Sequence, residues 1–153
     1  MRRSDLEISD KGIIENILNT NTVCRIGLID GEVPYIVPMS YGYTPDYIYL
    51  HAALEGKKLD LLEKNNQVCF EVSDSIEMVP ADAACGFSVQ YRSVIGSGKA
   101  ELVKDSAEKQ QGLQIIMHQH TGRGKWDIPL PALTKVSVIR ITIESMTGKQ
   151  KKF

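Results

Sequence analysis

The chain has 153 residues, a length that suits one domain over residues 1–153 and leaves little for a second. Its 18 Lys and Arg against 19 Asp and Glu give a net charge of −1, which argues against general binding to nucleic acid. No apolar run approaches the roughly 20 residues of a membrane-spanning helix, and no apolar leader follows the N-terminal arginines, so we expect neither a membrane protein nor a secreted one.

The first predicted elements are a helix and a hairpin. Ser9-Asp10 is a typical helix start, and apolar residues recur at helical spacing until Asn19–Asn21 ends the pattern. The β-branched run Thr22–Ile29 predicts a strand, and Val33–Tyr41 predicts the strand that returns. Asp30-Gly31 between them favours a tight hairpin turn, because both residues tolerate a positive φ.

The second predicted strand carries two prolines, Pro34 and Pro38. Neither can donate a ladder hydrogen bond, so they indicate an edge strand, a bulge or a bend. A turn at Thr44-Pro45-Asp46 leads to a third strand, Tyr47–Ala52, and Glu55-Gly56-Lys57-Lys58 then opens a short helix.

The rest of the chain predicts three more strands and one more helix. The longest of these strands contains Gly96 and Gly98, which indicate a bulge or a bend. Six strands joined mainly by tight turns favour a mainly β fold, an antiparallel barrel with peripheral helices. In chain order the segments are the end of the short helix at Asn65-Asn66, a strand at Gln67–Val72, a loop at Asp74–Ala84, a strand at Ser88–Val103, a helix at Ser106–His120, a loop at Thr121–Pro131, a strand at Lys135–Ile143 and a lysine-containing tail to Phe153.

The cysteines and histidines give no metal-binding pattern. Cys24, Cys69 and Cys85 are widely spaced and form no C-x-x-C pair, so we expect free packed thiols in a reducing cytoplasm. His118 and His120 stand two residues apart, and on a helix they point in different directions. We therefore expect no metal site.

The strongest local signal for a ligand is the run His51-Ala52-Ala53-Leu54-Glu55-Gly56-Lys57-Lys58. Here a strand ends, a short loop turns and a helix begins with two lysines. The free N–H groups and the positive dipole end of a helix N-terminus favour an anion, and two ammonium groups suit a phosphate. The alternative is a pair of solvated lysines at a helix start.

Arg92, Ser93, His51 and Trp126 are further candidates whose roles the sequence leaves open. A buried arginine needs an anion or several acceptors, whereas an outward-facing one needs neither. Strand alternation sends Arg92 and Ser93 to opposite faces unless a bulge intervenes. His51 is either a core histidine or a group placed over a ligand, and Trp126 either stacks on a ring system or covers the core.

Several stretches together match a known sequence pattern. They are MRRSDLEI, VCRIGLID, VPMSYGY, YLHAALEGKKLDLLEKN, VCFEV, YRSVIGSGKAEL and the closing IRITIESMTGK. With them the chain resembles the pyridoxamine 5′-phosphate oxidase-like superfamily of FMN-binding split barrels, and within it the Nim-type nitroimidazole-resistance proteins. The resemblance covers nearly the whole chain, and only Asp74–Ala84 and Gln119–Leu133 carry little of it.

The resemblance implies a six-stranded antiparallel split β-barrel that forms a homodimer and holds FMN at the subunit interface. It implies that one strand lies along the isoalloxazine ring, that the lysine pair holds the phosphate, and that polar groups approach from the long strand. The cofactor-binding residues implied in this way are Val37, Pro38, Met39, Ser40, Tyr41, His51, Ala52, Lys57, Lys58, Arg92 and Ser93.

The resemblance also implies an FMN-dependent oxidoreductase that reduces small nitro compounds such as 5-nitroimidazoles to amines and so avoids a toxic radical. His51 is the candidate catalytic residue, as a proton donor. The true oxidase has basic residues where this chain has Ile36 and Tyr41, which argues against vitamin B6 oxidation. The alternatives are a carrier or sensor that binds FMN or haem without turnover, with His51 or His118 on the iron, and a barrel that serves only as an interaction module.

Overall fold

The computed structural model describes residues 3–151; the N-terminal Met1-Arg2 and the last two residues of the predicted tail lie outside the described residues. None of the helices within that range combines the length and the hydropathy that a bilayer span demands. The helices are α1 (Lys11–Thr20), α2 (Lys57–Lys64), α3 (Ser106–Thr121) and α4 (Leu130–Leu133). The strands are β1 (Glu7–Ile8), β2 (Val23–Asp30), β3 (Val33–Tyr43), β4 (Tyr47–Ala52), β5 (Gln67–Val79), β6 (Ser88–Leu102) and β7 (Ser137–Lys151).

Six antiparallel strands form a ring in the order β7-β4-β3-β2-β5-β6, which closes because β6 also pairs with β7. The two residues of β1 add to β7 outside this ring. The ring confirms the predicted mainly β, six-stranded antiparallel fold with peripheral helices. Its interior is apolar, and the hydroxyl of the fully buried Tyr41 donates to the Leu18 carbonyl oxygen at 2.6 Å.

Several local signals work as predicted. Asp10 caps α1 by accepting a hydrogen bond from the Gly12 amide at 2.8 Å. The β2–β3 turn lies one residue later than predicted, because Asp30 pairs with Val33 and leaves Gly31 and Glu32 as the loop. Only the glycine of this loop has a positive φ, +62°, at the first central position, as a type II′ hairpin turn requires.

Two strands run beyond their predicted ends. β5 continues to Val79 through the segment predicted as a loop, and β7 continues to Lys151 through the predicted tail. In β5 the register shifts between Asp74 and Glu77, where Ser75 has a φ of +53°, and this break hides the alternation. In β7 an extra residue at position 144 shifts the register opposite the predicted Gly96–Gly98 bulge. The short helix α4 occupies the end of another predicted loop.

The ring is incompletely paired between β3 and β4. Residues 41–43 of β3 pair with residues 48–50 of β4, while residues 33–40 of β3 pair with β2 alone. Ladder alternation points the nitrogens of Pro34 and Pro38 away from β2, towards this open edge, so neither proline removes a ladder hydrogen bond. The amide of Tyr41, an odd number of residues from both prolines, points the other way, towards β2, and donates to the Thr22 carbonyl oxygen. Of the three predicted alternatives, an edge, a bulge or a bend, residues 33–40 of β3 form an edge.

Helix α3 covers the outer face of the sheet where β3 and β4 do pair. Gly42 permits the contact, because a Cβ at that position would lie 2.6 Å from the Ile116 amide nitrogen. The side chain of Gln119 then ties α3 to two other elements. Its Oε1 accepts from the Tyr43 amide at 2.6 Å, and its Nε2 donates to the Leu18 carbonyl at 2.9 Å. We call the boundary between β3 and β4 the seam. Its paired end, at residues 41–43 of β3, is therefore fixed, and only its other end is open.

Replacing Gly98 with alanine should destabilise the barrel where β6 and β7 close it. A Cβ there would clash with the Thr142 carbonyl oxygen, so the backbone of one strand would have to move. We expect the free energy of unfolding to fall by about 2–3 kcal/mol, measured by urea denaturation. Gly124→Ala is the control, since a Cβ at that position meets nothing within 4 Å. Equal stability of the two variants would contradict the close approach.

Candidate cofactor site

The edge of β3 that β4 leaves unpaired and the start of α2, where Lys57 Nζ lies 4.8 Å from the centre of the Tyr35 ring, border one region of the surface. We call it the β3–β4 cleft and define it by residues 36–40 of β3, residues 51–52 of β4 and residues 56–58 at the start of α2. The chain leaves β4 at Ala52 and enters α2 only five residues later, so the helix begins beside the open end of the seam. The sequence-predicted strand segment, strand end and lysine pair therefore meet in one region.

The N-terminus of α2 is built without a side-chain cap. Its N-cap residue is Gly56, whose φ of +132° is one that residues with a side chain rarely adopt. The amides of Leu59 and Asp60 both donate to the Gly56 carbonyl. Within the described chain no group accepts from the amides of Lys57 and Lys58, so two donors and the positive end of the helix dipole remain for an anion.

The two lysines have different surroundings. Lys57 Nζ lies 2.6 Å from Asp30 Oδ2 and 4.8 Å from the centre of the Tyr35 ring. The hydrogen bond and charge of Asp30 raise the pKa of Lys57. Lys58 is partly buried and forms no salt bridge with any residue from 3 to 151. Of the pair, only Lys58 has a charge that no carboxylate of residues 3–151 already matches.

The predicted β3 residues divide by strand alternation. The side chains of Val37, Met39 and Tyr41 face the core, so they can reach a ligand only through their backbone. Pro38 and Ser40 lie on the outer face, Pro38 exposed and Ser40 half-buried. At the open edge the groups left by β2 include the carbonyl of Pro38 and the amides of Ile36 and Ser40. This edge can therefore hydrogen-bond a ring system that lies against it.

His51 and Ala52 sit at the end of β4 and face opposite ways. Ala52 is buried in the core, whereas His51 is exposed on the outer face, so it is not a core histidine. Extending the β3–β4 register by one pair beyond Tyr41 and Leu50 would place Ser40 opposite His51, where the strands have separated. The imidazole is thus on the same side of the sheet as the polar β3 side chain and is free to meet a ligand there.

Arg92 and Ser93 lie at the other end of the barrel. Arg92 is half-buried and binds Asp74 through two hydrogen bonds of 2.8 Å, and Asp74 also accepts from Asn21 at 3.0 Å. Asn21 precedes the start of β2, whereas Asp30 at its end contacts Lys57. The seven residue steps of β2 at ~3.3 Å each separate these groups by about 23 Å. One chain therefore does not bring Arg92 and Ser93 to the lysine end of the β3–β4 cleft.

Ser93 lies on the outer face of the sheet, beside a groove that Arg92 does not line. It lines a groove of about 260 Å³ together with Ile95, Thr147 and Lys149. The guanidinium of its neighbour Arg92 is already paired, so Ser93 is the member of the predicted pair that is open to a second molecule.

Sequence patterns did not reveal three side chains that shape these regions, namely Asp30, Tyr35 and Asp74. The sequence assigned Asp30 only a turn, and it placed Asp74 in a loop. The Asp74 contact with Arg92 spans 18 residues and crosses a register shift, so no local spacing reveals it. For the two acids, Asp30 and Asp74, the one sequence signal was their charge, because each pairs with a base that was predicted to be functional.

A family model described as pyridoxamine 5′-phosphate oxidase matches residues 10–150. The chain belongs to the pyridoxamine 5′-phosphate oxidase family. This membership confirms the resemblance found in the sequence and extends it across Asp74–Ala84, where the motifs carry little of it. No curated protein matches the chain significantly.

Solved structures share the family fold over nearly the whole chain. A Bacteroides thetaiotaomicron protein, proposed to be a 5-nitroimidazole antibiotic resistance protein, is 36% identical with a TM-score of 0.85, over 95% of this chain and 86% of that one. The flavocytochrome Anf3 from Azotobacter vinelandii is 24% identical with a TM-score of 0.84, over 100% and 72% of the two chains. A FAD and haem binding protein from Mycobacterium smegmatis is 16% identical with a TM-score of 0.84, over 96% and 74%. The last two show the fold alone.

Asp74 should stabilise the protein in a pH-dependent way. Burial raises the pKa of Asp74, but hydrogen bonds from Arg92, Asn21 and Ser75 outweigh it and hold that pKa below its usual value. A lowered folded-state pKa means that the stabilisation is complete above the unfolded pKa of about 3.9 and is lost as the pH falls through the folded one.

We therefore expect Asp74→Asn to lower the free energy of unfolding by about 1–3 kcal/mol at pH 7. The difference from wild type should shrink below about pH 4, as urea denaturation across a pH series would show. Asp82→Asn, at an exposed position, is the matched control. A difference that stays constant down to the acid limit would rule out the carboxylate as its source.

Proposed function

We propose that the protein is an FMN-dependent oxidoreductase that reduces small nitro compounds such as 5-nitroimidazoles. The observation that carries the proposal is the β3–β4 cleft, where an uncapped helix N-terminus with two lysines meets an open strand edge. The family membership and the 36% identity to a protein proposed to confer 5-nitroimidazole resistance support it.

The donor set at the start of α2 fits the phosphate of FMN. The amides of Lys57 and Lys58 supply two N–H donors, and their side chains supply ammonium groups. Charge-assisted hydrogen bonds of this kind are the strong ones. The glycine N-cap leaves the backbone uncovered, since nothing lies within 4 Å of the position where a Cβ would be. A phosphate could therefore approach the amides closely.

The open edge of β3 fits the flavin ring. The Ser40 amide and the Pro38 carbonyl would bind its polar edge, and the side chains of Val37 and Met39 would support the strand from the core. Ile36 is exposed and apolar, and the Tyr41 hydroxyl is buried on the Leu18 carbonyl. Neither can replace the basic residues of the true oxidase, so we propose a substrate other than a pyridoxal phosphate.

The chain itself supplies orientation and a proton. When bound, the flavin supplies the electrons for the nitro group. His51, exposed on the outer face beside Ser40, would hold a proton on a ring nitrogen and donate it to the reduced substrate. Ala52, buried behind it, fixes the end of β4 and so the height of the imidazole over the cleft.

We propose that the active form is a homodimer with the cofactor at its interface. Exposed apolar side chains alternate with the core on three strands of the ring, at Val23 and Ile29 of β2, Ile36 of β3 and Ile95 of β6, with β5 between β2 and β6. Such a surface is typical of an interface between subunits. Since about 23 Å of β2 separates Ser93 from the lysine pair of its own chain, Ser93, with Arg92 held beside it by Asp74, would complete the site of the partner.

Purified protein should be yellow or should take up added FMN. Titration should quench flavin fluorescence. The loaded protein, kept reduced without oxygen by an excess of an external electron donor, should consume a 5-nitroimidazole and release the amine, because the flavin must be reduced again to supply all the electrons of this reduction. The double variant Lys57→Ala with Lys58→Ala should bind FMN at least tenfold more weakly, since each charge-assisted contact contributes about 1.5–3 kcal/mol. Lys64→Ala, at the other end of α2, is the control for a lost charge. A colourless protein that does not bind added FMN would overturn the proposal. A haem absorption band would favour the alternative of a carrier that binds haem without turnover.

Ile95→Glu should convert the dimer to a monomer and weaken FMN binding with it. Ile95 is 56% exposed in the single chain, and an interface would have to bury the new carboxylate without a partner. Sedimentation velocity would measure the mass, and fluorescence titration the affinity. Leu130→Glu is the control, because Leu130 is 71% exposed but lies on α4, away from these strands. A wild-type monomer that binds FMN fully would contradict the shared site.

A further inference from the structure

We infer that Asp30 sets the affinity of the phosphate site by sequestering Lys57, so that Lys58 is the lysine that holds the phosphate. The inference rests on the proposed function and divides the roles of two lysines that the sequence treats as a pair. Asp30 becomes an affinity-determining residue, a role beyond the turn that the sequence predicts for it.

Lys57 is held on the side of its helix that faces the hairpin. Its Nζ lies 2.6 Å from Asp30 Oδ2, and the Tyr35 ring, 4.8 Å away, supports the ammonium group from a second direction. Asp30 is the last residue of β2, directly before the turn glycine, so its backbone is fixed by pairing with Val33. The carboxylate therefore meets the ammonium group from a position that does not depend on any ligand.

Lys58 is in the opposite situation. It is the second residue of α2 and has no salt-bridge partner among the residues described. Its amide is one of the two that no acceptor satisfies. A phosphate at the helix N-terminus would thus meet one lysine with a free charge and one whose charge is matched by Asp30.

The charges around the cleft nearly cancel without a ligand. Two lysines stand against Asp30, and Glu55 and Asp60 are exposed next to them in the sequence. A phosphate that recruits Lys57 must compete with the Asp30 carboxylate and is also repelled by it. Because the side chains of Lys57 and Asp30 are 56% and 39% exposed, water screens the pair and the competition amounts to a few-fold change in affinity.

The test is a double-mutant cycle read out as FMN dissociation constants, with Lys58→Ala alongside. Lys58→Ala should weaken binding by about tenfold or more, and Lys57→Ala by less than about twofold. Asp30→Asn should tighten binding by about two- to fivefold. In the Asp30→Asn background Lys57 is released, so removing it there should cost more than it does in the wild type.

Riboflavin, which lacks the phosphate, is the ligand control, and its affinity should not respond to Asp30→Asn. Lys99→Ala is the protein control, because Lys99 is similarly exposed and pairs with Glu144 away from the cleft. Unfolding curves establish that each variant is folded, and Asp30→Ser serves if the asparagine variant is not. Equal losses for Lys57→Ala and Lys58→Ala, or an Asp30→Asn variant that binds FMN no more tightly, would overturn the inference. A wild type that binds neither flavin would instead overturn the proposed function.

Discussion

The absence of an N–H group on proline shapes the functional half of this barrel. Pro34 and Pro38 stand four residues apart on the same edge of β3, so that edge lacks two donors that a neighbouring strand would use, while the amides of Ile36 and Ser40 remain available to a ligand. β4 pairs with residues 41–43 and ends at Ala52, so the rest of this edge stays open. The open edge leads to the start of α2, and the cleft, its anion site and the exposed His51 lie along it.

The same geometry explains why one chain holds half of a site. The groups that suit a phosphate lie near the C-terminal end of β2, whereas the Arg92–Asp74 pair lies near its N-terminal end. A barrel strand is rigid and of fixed rise, so no side-chain movement can join the two ends. A second chain can do so, and the exposed apolar side chains on β2, β3 and β6 lie between them. A second copy of the chain would therefore both cover the apolar surface and complete the site.

Much of the fold could be predicted because its signals are local. The cap at Asp10, the β-branched run before Gly31 and the short strand Tyr47–Ala52 depend on neighbouring residues alone. The misplaced ends of β5 and β7 come from irregularities that break the alternation, one at Ser75 and one opposite Gly98. Sequence pattern carries no information about such register shifts, because they depend on which strand lies alongside.

The candidate site was predictable to the same degree. The lysine pair and the strand end were visible, because a helix start after a strand is a local pattern. The partner of Lys57 was not, since Asp30 reaches it only when the β2–β3 hairpin packs beside α2. Arg92 likewise needed an acceptor, and no sequence pattern distinguishes Asp74 from a ligand in that role.

The single tryptophan has a practical meaning for anyone who follows this protein by its intrinsic emission. Trp126 belongs to the loop after α3, where Gln114 binds its backbone amide at 2.9 Å and Arg123 lies 4.4 Å from its ring. It packs in neither buried cluster of the barrel. Its emission therefore reports the attachment of this loop to α3. A change in the emission therefore indicates that this loop has detached from α3. Unfolding of the strands has to be followed by circular dichroism.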